Sequence, residues 1–261
     1  MLKVLINSVE VTNELESGID SPVNYSVLDT GTTIEVQSDR PVTKLYWKSI
    51  SSHDGNLSFS YWNGSTFNAA SISRDTSDKL RVQGWIEWAM PTDLATDGGF
   101  YKYRFVISGA SVTVAATLSF VGIVFSEDKD LKIEYPNIGD YLPEGDSSFL
   151  RFHVAARDAI VQWFRGKGIS TVVGTEAKNL TEWDFLDIDE VKNASKFKTL
   201  AKIMRWLSDA SDDKWYQKAL DFENMGNNSL DVYFISIDKD RDGEADTNET
   251  LLTTDLVIRR A

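Results

Sequence analysis

The sequence predicts an α+β chain in two parts. An antiparallel β-sandwich is expected over residues 1–134. A small helical bundle with a β-hairpin and an extended strand is expected over 148–261, and a linker at 135–147 joins them. Three observations carry this expectation. Apolar residues alternate with period two through the first half. The period changes to three-and-four in the second half. Between them, EYPNIGDYLPEGDSS (134–148) concentrates Pro136, Gly139, Pro143 and Gly145. Alternation marks a strand with one wet face, the longer period marks one face of a helix, and clustered Pro and Gly mark a boundary.

In the first half Leu57, Phe59 and Tyr61 alternate with polar residues, as do Tyr101, Tyr103, Phe105 and Ile107. Val112, Val114, Ala116, Leu118 and Phe120 share a face against Thr113, Thr117 and Ser119. Asp54-Gly55, Asn63-Gly64 and Asp97-Gly98-Gly99 separate such runs as turns. Many short strands between tight turns predict a sandwich. Tyr61, Trp62, Trp85 and Trp88 are read as core fillers in preference to a sugar-stacking face, because large aromatics in small sandwiches close the space between sheets. His53 falls in a turn with no marked nucleophile beside it.

In the second half Ser147 or Ser148 can cap a helix whose apolar face runs Phe149, Phe152, Ala156, Ile160, Trp163 and which Gly166 and Gly168 end. Ile169–Val173 reads as a short strand. Asp187 or Asp189 begins a second helix, with Val191, Leu200, Ile203, Met204 and Leu207 on its buried stripe. A third starts at Asp212 or Asp213 and stops at Gly226, its stripe bracketed by Trp215, Ala219, Leu220 and Phe222 or Glu223. His153 on the first helix is read as packed or solvated, with no second histidine near it in sequence. The cluster Glu182, Asp184, Asp187, Asp189, Glu190 lacks a ligand spacing and is read as caps and a solvated face.

Composition excludes several function classes. The net charge of −13 disfavours a nucleic-acid partner, which needs clustered Lys and Arg. Residues 1–139 hold 11 basic and 17 acidic side chains and residues 140–261 hold 16 and 23, so neither half is a basic arm. No apolar run approaches the roughly 18 residues of a membrane span. The start MLKVLINSVEV alternates like a strand and lacks the apolar core of a signal peptide. Without cysteine there is no disulfide, thiolate metal site or cysteine nucleophile. With two distant histidines no nucleophile–base pair stands out, and a non-enzyme is expected.

The sharpest motif is IDKDRDGEADTNETLL, where Asp238, Asp240 and Asp242 alternate, Gly243 follows, Asp246 comes next and Glu249 closes a twelve-residue loop. This is calcium-loop spacing: short carboxylates converge on a hard cation, Gly243 permits the turn, Glu244 offers its carbonyl and Glu249 both side-chain oxygens. DVYFISI before it and TTDLVIRR after it read as strands, so the loop is placed on a hairpin and not between EF-hand helices. It is read either as a calcium site that stiffens the hairpin or as an acidic turn without metal.

The order YLPEGDSSFLRFHVAARDAIVQWFR, LTEWDFLDIDEVK, FKTLAKIMRWL, WYQKALDFE, IDKDRDGEAD, LVIRR resembles the head–tail connector proteins of tailed bacteriophages, over about residues 140–261. YWNGSTF, RDT, GWIEWAMP and YKYRF in the first half are similar to β-sandwich modules of tailed-phage virion proteins, although the simplest adaptors lack such a domain. A decorated adaptor, another neck protein and a tail-completion protein thus stay open. The resemblance implies a structural virion protein at the head–tail interface that docks as a ring, a dodecamer in the family's common form, beneath the portal. Its partners would be the portal, neck or tail-completion proteins and copies of itself, with no membrane and no sequence-specific nucleic acid. Leu256, Val257, Ile258, Arg259 and Arg260 would add to an exposed sheet edge on a neighbour or on the portal, through main-chain hydrogen bonds. The alternative is a calcium-dependent carbohydrate-binding or adhesin protein.

Overall fold

The computed structural model describes residues 2–12, 31–50, 55–109, 117–173, 175–210, 213–231, 234–243, 246 and 250–252. The fold is α+β with antiparallel sheets and four α-helices among the described residues. The chain divides into two compact units, Met1–Ile123 and Val124–Ala261.

Among the described residues the first unit holds eleven strands: β1 (Leu2–Ile6), β2 (Val9–Glu10), β3 (Thr33–Ser38), β4 (Lys44–Ile50), β5 (Asn56–Trp62), β6 (Phe67–Ala70), β7 (Ile72–Asp75), β8 (Gly84–Trp88), β9 (Thr96–Asp97), β10 (Phe100–Ser108) and β11 (Thr117–Gly122). One sheet runs β2-β1-β3-β10-β5-β6 with β9 on β10, and the other runs β11-β4-β8-β7. Register puts Phe105 opposite Ile34 on one side and Phe59 on the other, so the alternation read in the sequence becomes one apolar inner face. Rings then meet across the two sheets: Trp47 lies edge-on to Phe105 at 5.0 Å, and Trp88 sits 4.7 Å from Phe59 and 5.3 Å from Tyr103. Tyr103 also ties the sheets through a polar bond, its Oη accepting the Val42 N–H at 2.9 Å. Trp85 and Trp88 are buried, as expected of core fillers, whereas Tyr61 and Trp62 are only half-buried. Residues 110–116, with Val112, Thr113, Val114 and Ala116, and residues 51–54, with His53, lie outside the described residues.

The second unit holds α1 (Asp128–Glu134), α2 (Leu150–Gly166), the hairpin β12 (Ser170–Val173) and β13 (Glu176–Asn179), α3 (Asp189–Trp206), α4 (Lys214–Asp231), and the hairpin β14 (Phe234–Ser236) and β15 (Thr250–Leu252). Its first residues correct the expected boundary. The stretch 124–147, assigned to the sandwich's end and a linker, carries α1 and a 3₁₀ turn at Ile138–Tyr141. Leu131 and Ile138 are buried in one cluster with Phe149, Leu200, Ile203, Met204 and Ala219. The Pro and Gly residues there shape tight turns and do not loosen the chain. Apolar anchors between them outweigh the punctuation.

The helix ends follow local chemistry. Ser148 Oγ accepts the Leu150 N–H at 3.2 Å, Asp187 Oδ1 accepts that of Asp189 at 2.9 Å, and Asp213 Oδ1 accepts that of Tyr216 at 2.7 Å. Gly168, with φ at +86°, closes α2 in the left-handed region that glycine enters without strain. Gly226 does not stop its helix. A Cβ there would meet Lys198 Cγ at 2.9 Å, so the glycine lets α4 lie close on α3 and the helix runs on to Asp231. Leu220, placed on the buried stripe from sequence, is exposed. It stands one residue past Ala219, and that step of more than a quarter turn carries it off the packed face.

Candidate metal centre

The acidic loop hangs from β14. Ser236 donates its N–H to Glu190 Oε2 at 2.6 Å and its hydroxyl to Oε1 at 3.1 Å, tying the strand to the first turn of α3. Beyond it Ile237 bridges to Phe185, and the Asp238 N–H reaches the Asp184 carbonyl at 2.8 Å. On the other flank the Lys239 carbonyl accepts the Val172 N–H of β12. The loop is therefore held at its start by a 3₁₀ turn (Glu182–Asp184) and by the β12–β13 hairpin.

Within it, Asp238 is buried and its Oδ2 accepts the Gly243 N–H at 3.1 Å, closing the turn. Arg241 and Gly243 both take positive φ, 66° and 83°. The two left-handed residues fold the loop back so that one carboxylate oxygen from each of Asp238, Asp240 and Asp242 lies within 4.8 Å of the others. Calcium takes oxygens at about 2.3–2.6 Å, so ligands on one ion stand at most about 5 Å apart, and the three carboxylates fit. Asp246 is exposed and is not one of the three whose oxygens converge. Glu244 and Glu249, the expected carbonyl and bidentate ligands, lie outside the described residues.

Arg241, set between two of these carboxylates in sequence, turns away from them. Its Nε stands 3.1 Å from Asp184 Oδ1, and its Nη2 donates to the Asn179 carbonyl at 3.0 Å. Asp184 is fully buried, and its other oxygen accepts the Thr181 hydroxyl at 2.9 Å as well as the Thr181 N–H. This corrects the reading of Asp184 as part of a solvated face. It is a cap, but a buried one, and it also anchors the acidic loop. The signal was present in the sequence as T-x-x-D at 181–184, a capping-box spacing. The partner Arg241 is 57 residues away and left no local trace.

A second polar cluster escapes a reading of the sequence. His153, expected to be packed or solvated, is packed: it and Ser126 are each 2% exposed. Its Nδ1 lies 2.9 Å from Ser126 Oγ, its Nε2 lies 3.0 Å from Asp128 Oδ1, and Ser126 Oγ lies 2.8 Å from Ser195 Oγ. Serine, histidine and aspartate in line evoke nucleophilic catalysis. A nucleophile, however, needs a place about 3 Å away for the reacting carbon. Here Ser126 Oγ is enclosed by two short contacts inside the helical core. The set ties the entry of α1 to α2 and α3 as a polar clamp.

Leu256, Val257, Ile258, Arg259 and Arg260 lie outside the described residues. Comparison of the chain with protein-family models and with curated proteins gives no match. Among the described residues no helix is long and apolar enough to cross a membrane.

Proposed function

We propose that this is a structural assembly protein of a tailed-phage virion, a connector that docks as a ring below the portal and links it to the neck or tail. It performs no catalysis, and the second unit is its joint. What supports this reading is where apolar surface is left outside. Of the eight exposed large apolar side chains among the described residues, six belong to the second unit: Ile133, Val172, Val173, Trp206, Leu220 and Met225. Ile133 is 74% and Trp206 48% exposed. They stand on α1, β12, α3 and α4, and apolar side chains left in water there offer surface for protein contact. The anchored hairpin serves the same end, since β15 leads toward residues 256–260, the segment assigned to strand addition. Mixing the purified protein with the portal ring of its phage should give stoichiometric complexes by electron microscopy or native mass spectrometry. Failure to bind any portal or neck component would contradict the reading.

Calcium in the acidic loop belongs to this proposal as a stiffener of the hairpin. Titration calorimetry should detect one calcium ion whose binding is lost in Asp240→Asn/Asp242→Asn. A heatless titration removes the ion and leaves the docking reading intact.

A calcium-dependent glycan-binding protein is the second reading, and one observation favours it. Trp62 and Phe67 are half-buried neighbours with ring centroids 5.3 Å apart. Arg104 lies 3.5 Å over the Phe67 ring, which leaves Trp62 as the stacking platform. A glycan array read with and without chelator separates the two.

A further inference from the structure

The β12–β13 hairpin stands largely in water. Every residue of β13 is exposed, and in β12 Thr171 alone is buried. Val172 and Val173, neighbours on a strand, therefore stand in water on opposite faces. Two strands by themselves are marginal in water. On one side this hairpin gains a third partner, where the Val172 N–H donates to the Lys239 carbonyl. On the other side, among the described residues, no strand pairs with β13.

Register shows which groups that free side offers. Val172 stands opposite Ala177. Its N–H points away from β13, toward Lys239, so Val172 and Ala177 form a pair that exchanges no hydrogen bonds. The N–H and carbonyl of Ala177 then point outward from the free edge. Two residues on, Asn179 uses its carbonyl to accept from Arg241. The open edge is thus short and centred on Ala177. Glu176 and Lys178 flank it, paired with each other at 2.5 Å yet 72% and 45% exposed.

The chain also carries a segment suited to such an edge. Residues 253–261 read TTDLVIRRA, with Leu256 and Ile258 on one alternation and Val257 and Arg259 on the other. It follows β15, which runs antiparallel to β14. Thr250 lies opposite Ser236 and Leu252 opposite Phe234, so β15 runs back past Phe234, away from Lys239 and β12.

We propose that residues 256–260 of one copy add as a third strand to the β13 edge of the next copy. This rests on the assembly reading and names its junction. The added strand runs antiparallel to β13 with Ile258 opposite Ala177. Ile258 then extends the apolar row formed by Val172 and Ala177. The same register sets Arg259 opposite Glu176, a pair of opposite charge, and lays Val257 along the aliphatic stem of Lys178. Such a contact is head-to-tail and closes into a ring when its rotation allows. In a chain of net charge −13, copies repel one another at random approach, and a basic tail end on an acidic neighbour favours one orientation.

The test uses two full-length variants in sedimentation velocity over a concentration series. Ala177→Pro removes the outward N–H of the edge and leaves the bonds inside the hairpin alone, since Ala177 gives none to β12. Ile258→Pro removes the matching N–H of the tail. The wild type should associate, and each variant by itself should lose at least about tenfold in association constant, one lost hydrogen-bonded pair being enough for that. A mixture of the two has one sound edge and one sound tail per pair. It should give 1:1 dimers and nothing larger, which also excludes misfolding as the cause of the loss. A variant that associates unchanged, or a mixture without dimers, overturns the junction. A monomeric wild type whose Ala177 amide exchanges faster in Ile258→Pro would put the tail on its own hairpin, and this too overturns exchange between copies. Portal binding by a protein whose variants associate unchanged would remove this junction and leave the docking reading. Association through the tail without portal binding would do the reverse.

Discussion

The two units solve burial differently. The sandwich fills its interior with rings, and its buried charged residues among those described are Arg40 and Lys48. The helical unit buries Asp130, His153, Arg157, Asp184, Lys196, Lys198 and Asp238, and leaves apolar side chains outside. Ring packing is dense and tolerant of exchange, so it gives stability. Buried ionic groups add little net stability and can fix one arrangement of elements. Ionic groups inside and apolar residues outside are the two features on which the proposal of the second unit as a joint rests.

Five substitutions sharpen or break this contrast. Trp47→Ala should destabilise the sandwich most, by about 3–5 kcal/mol, because the cavity beside Phe105 cannot collapse, and near-UV circular dichroism in guanidinium reads it. Arg241→Met should cost about 3 kcal/mol by leaving the Asp184 carboxylate buried without its cation, while Arg241→Met with Asp184→Asn regains most of it in a double-mutant cycle of thermal melts. Equal costs for the single and double variants would show that the ion pair does not organise the loop.

Tyr103→Phe should cost about 1–3 kcal/mol by stranding the Val42 N–H. Burial holds the Tyr103 phenol well above the usual tyrosine range. Its raised pKa means that its contribution is complete below about pH 10 and is lost as pH rises, because the unfolded chain ionises first. Melts between about pH 9 and 11 should fall more steeply for the wild type than for the phenylalanine variant.

The smallest effect is at Asp213, whose hydrogen bond from the Tyr216 N–H holds its carboxyl below the usual range. That cap is present above about pH 4, the ordinary aspartate value, and is lost as pH falls through the lowered one. Far-UV helicity should drop slightly there, and not in Asp213→Asn.

What was legible in the sequence follows the range of the interactions. Alternation marked β5 and β10, because a strand's neighbours do not change which of its faces is buried. Ser148, Asp187 and Asp213 were readable as residues that start helices, since each accepts an N–H within three residues, although Phe149 and Ile188 and not Ser148 and Asp187 stand at the N-cap of their helices. Gly226 misled because its purpose is contact with α3, not helix termination. The 124–147 segment misled because Leu131 and Ile138 are anchored by Leu200, Ile203, Met204 and Ala219, far along the chain. For the acidic loop, the spacing of Asp238, Asp240 and Asp242 was plain, and the Arg241–Asp184 anchor was not.

Hydrogen exchange on the protein with and without the portal ring tests most directly whether the second unit is the joint. New protection is expected in residues 124–252, above all near Val172, Val173 and Trp206, with the sheets of the first unit unchanged. Protection confined to β1–β11, or none at all, would contradict it.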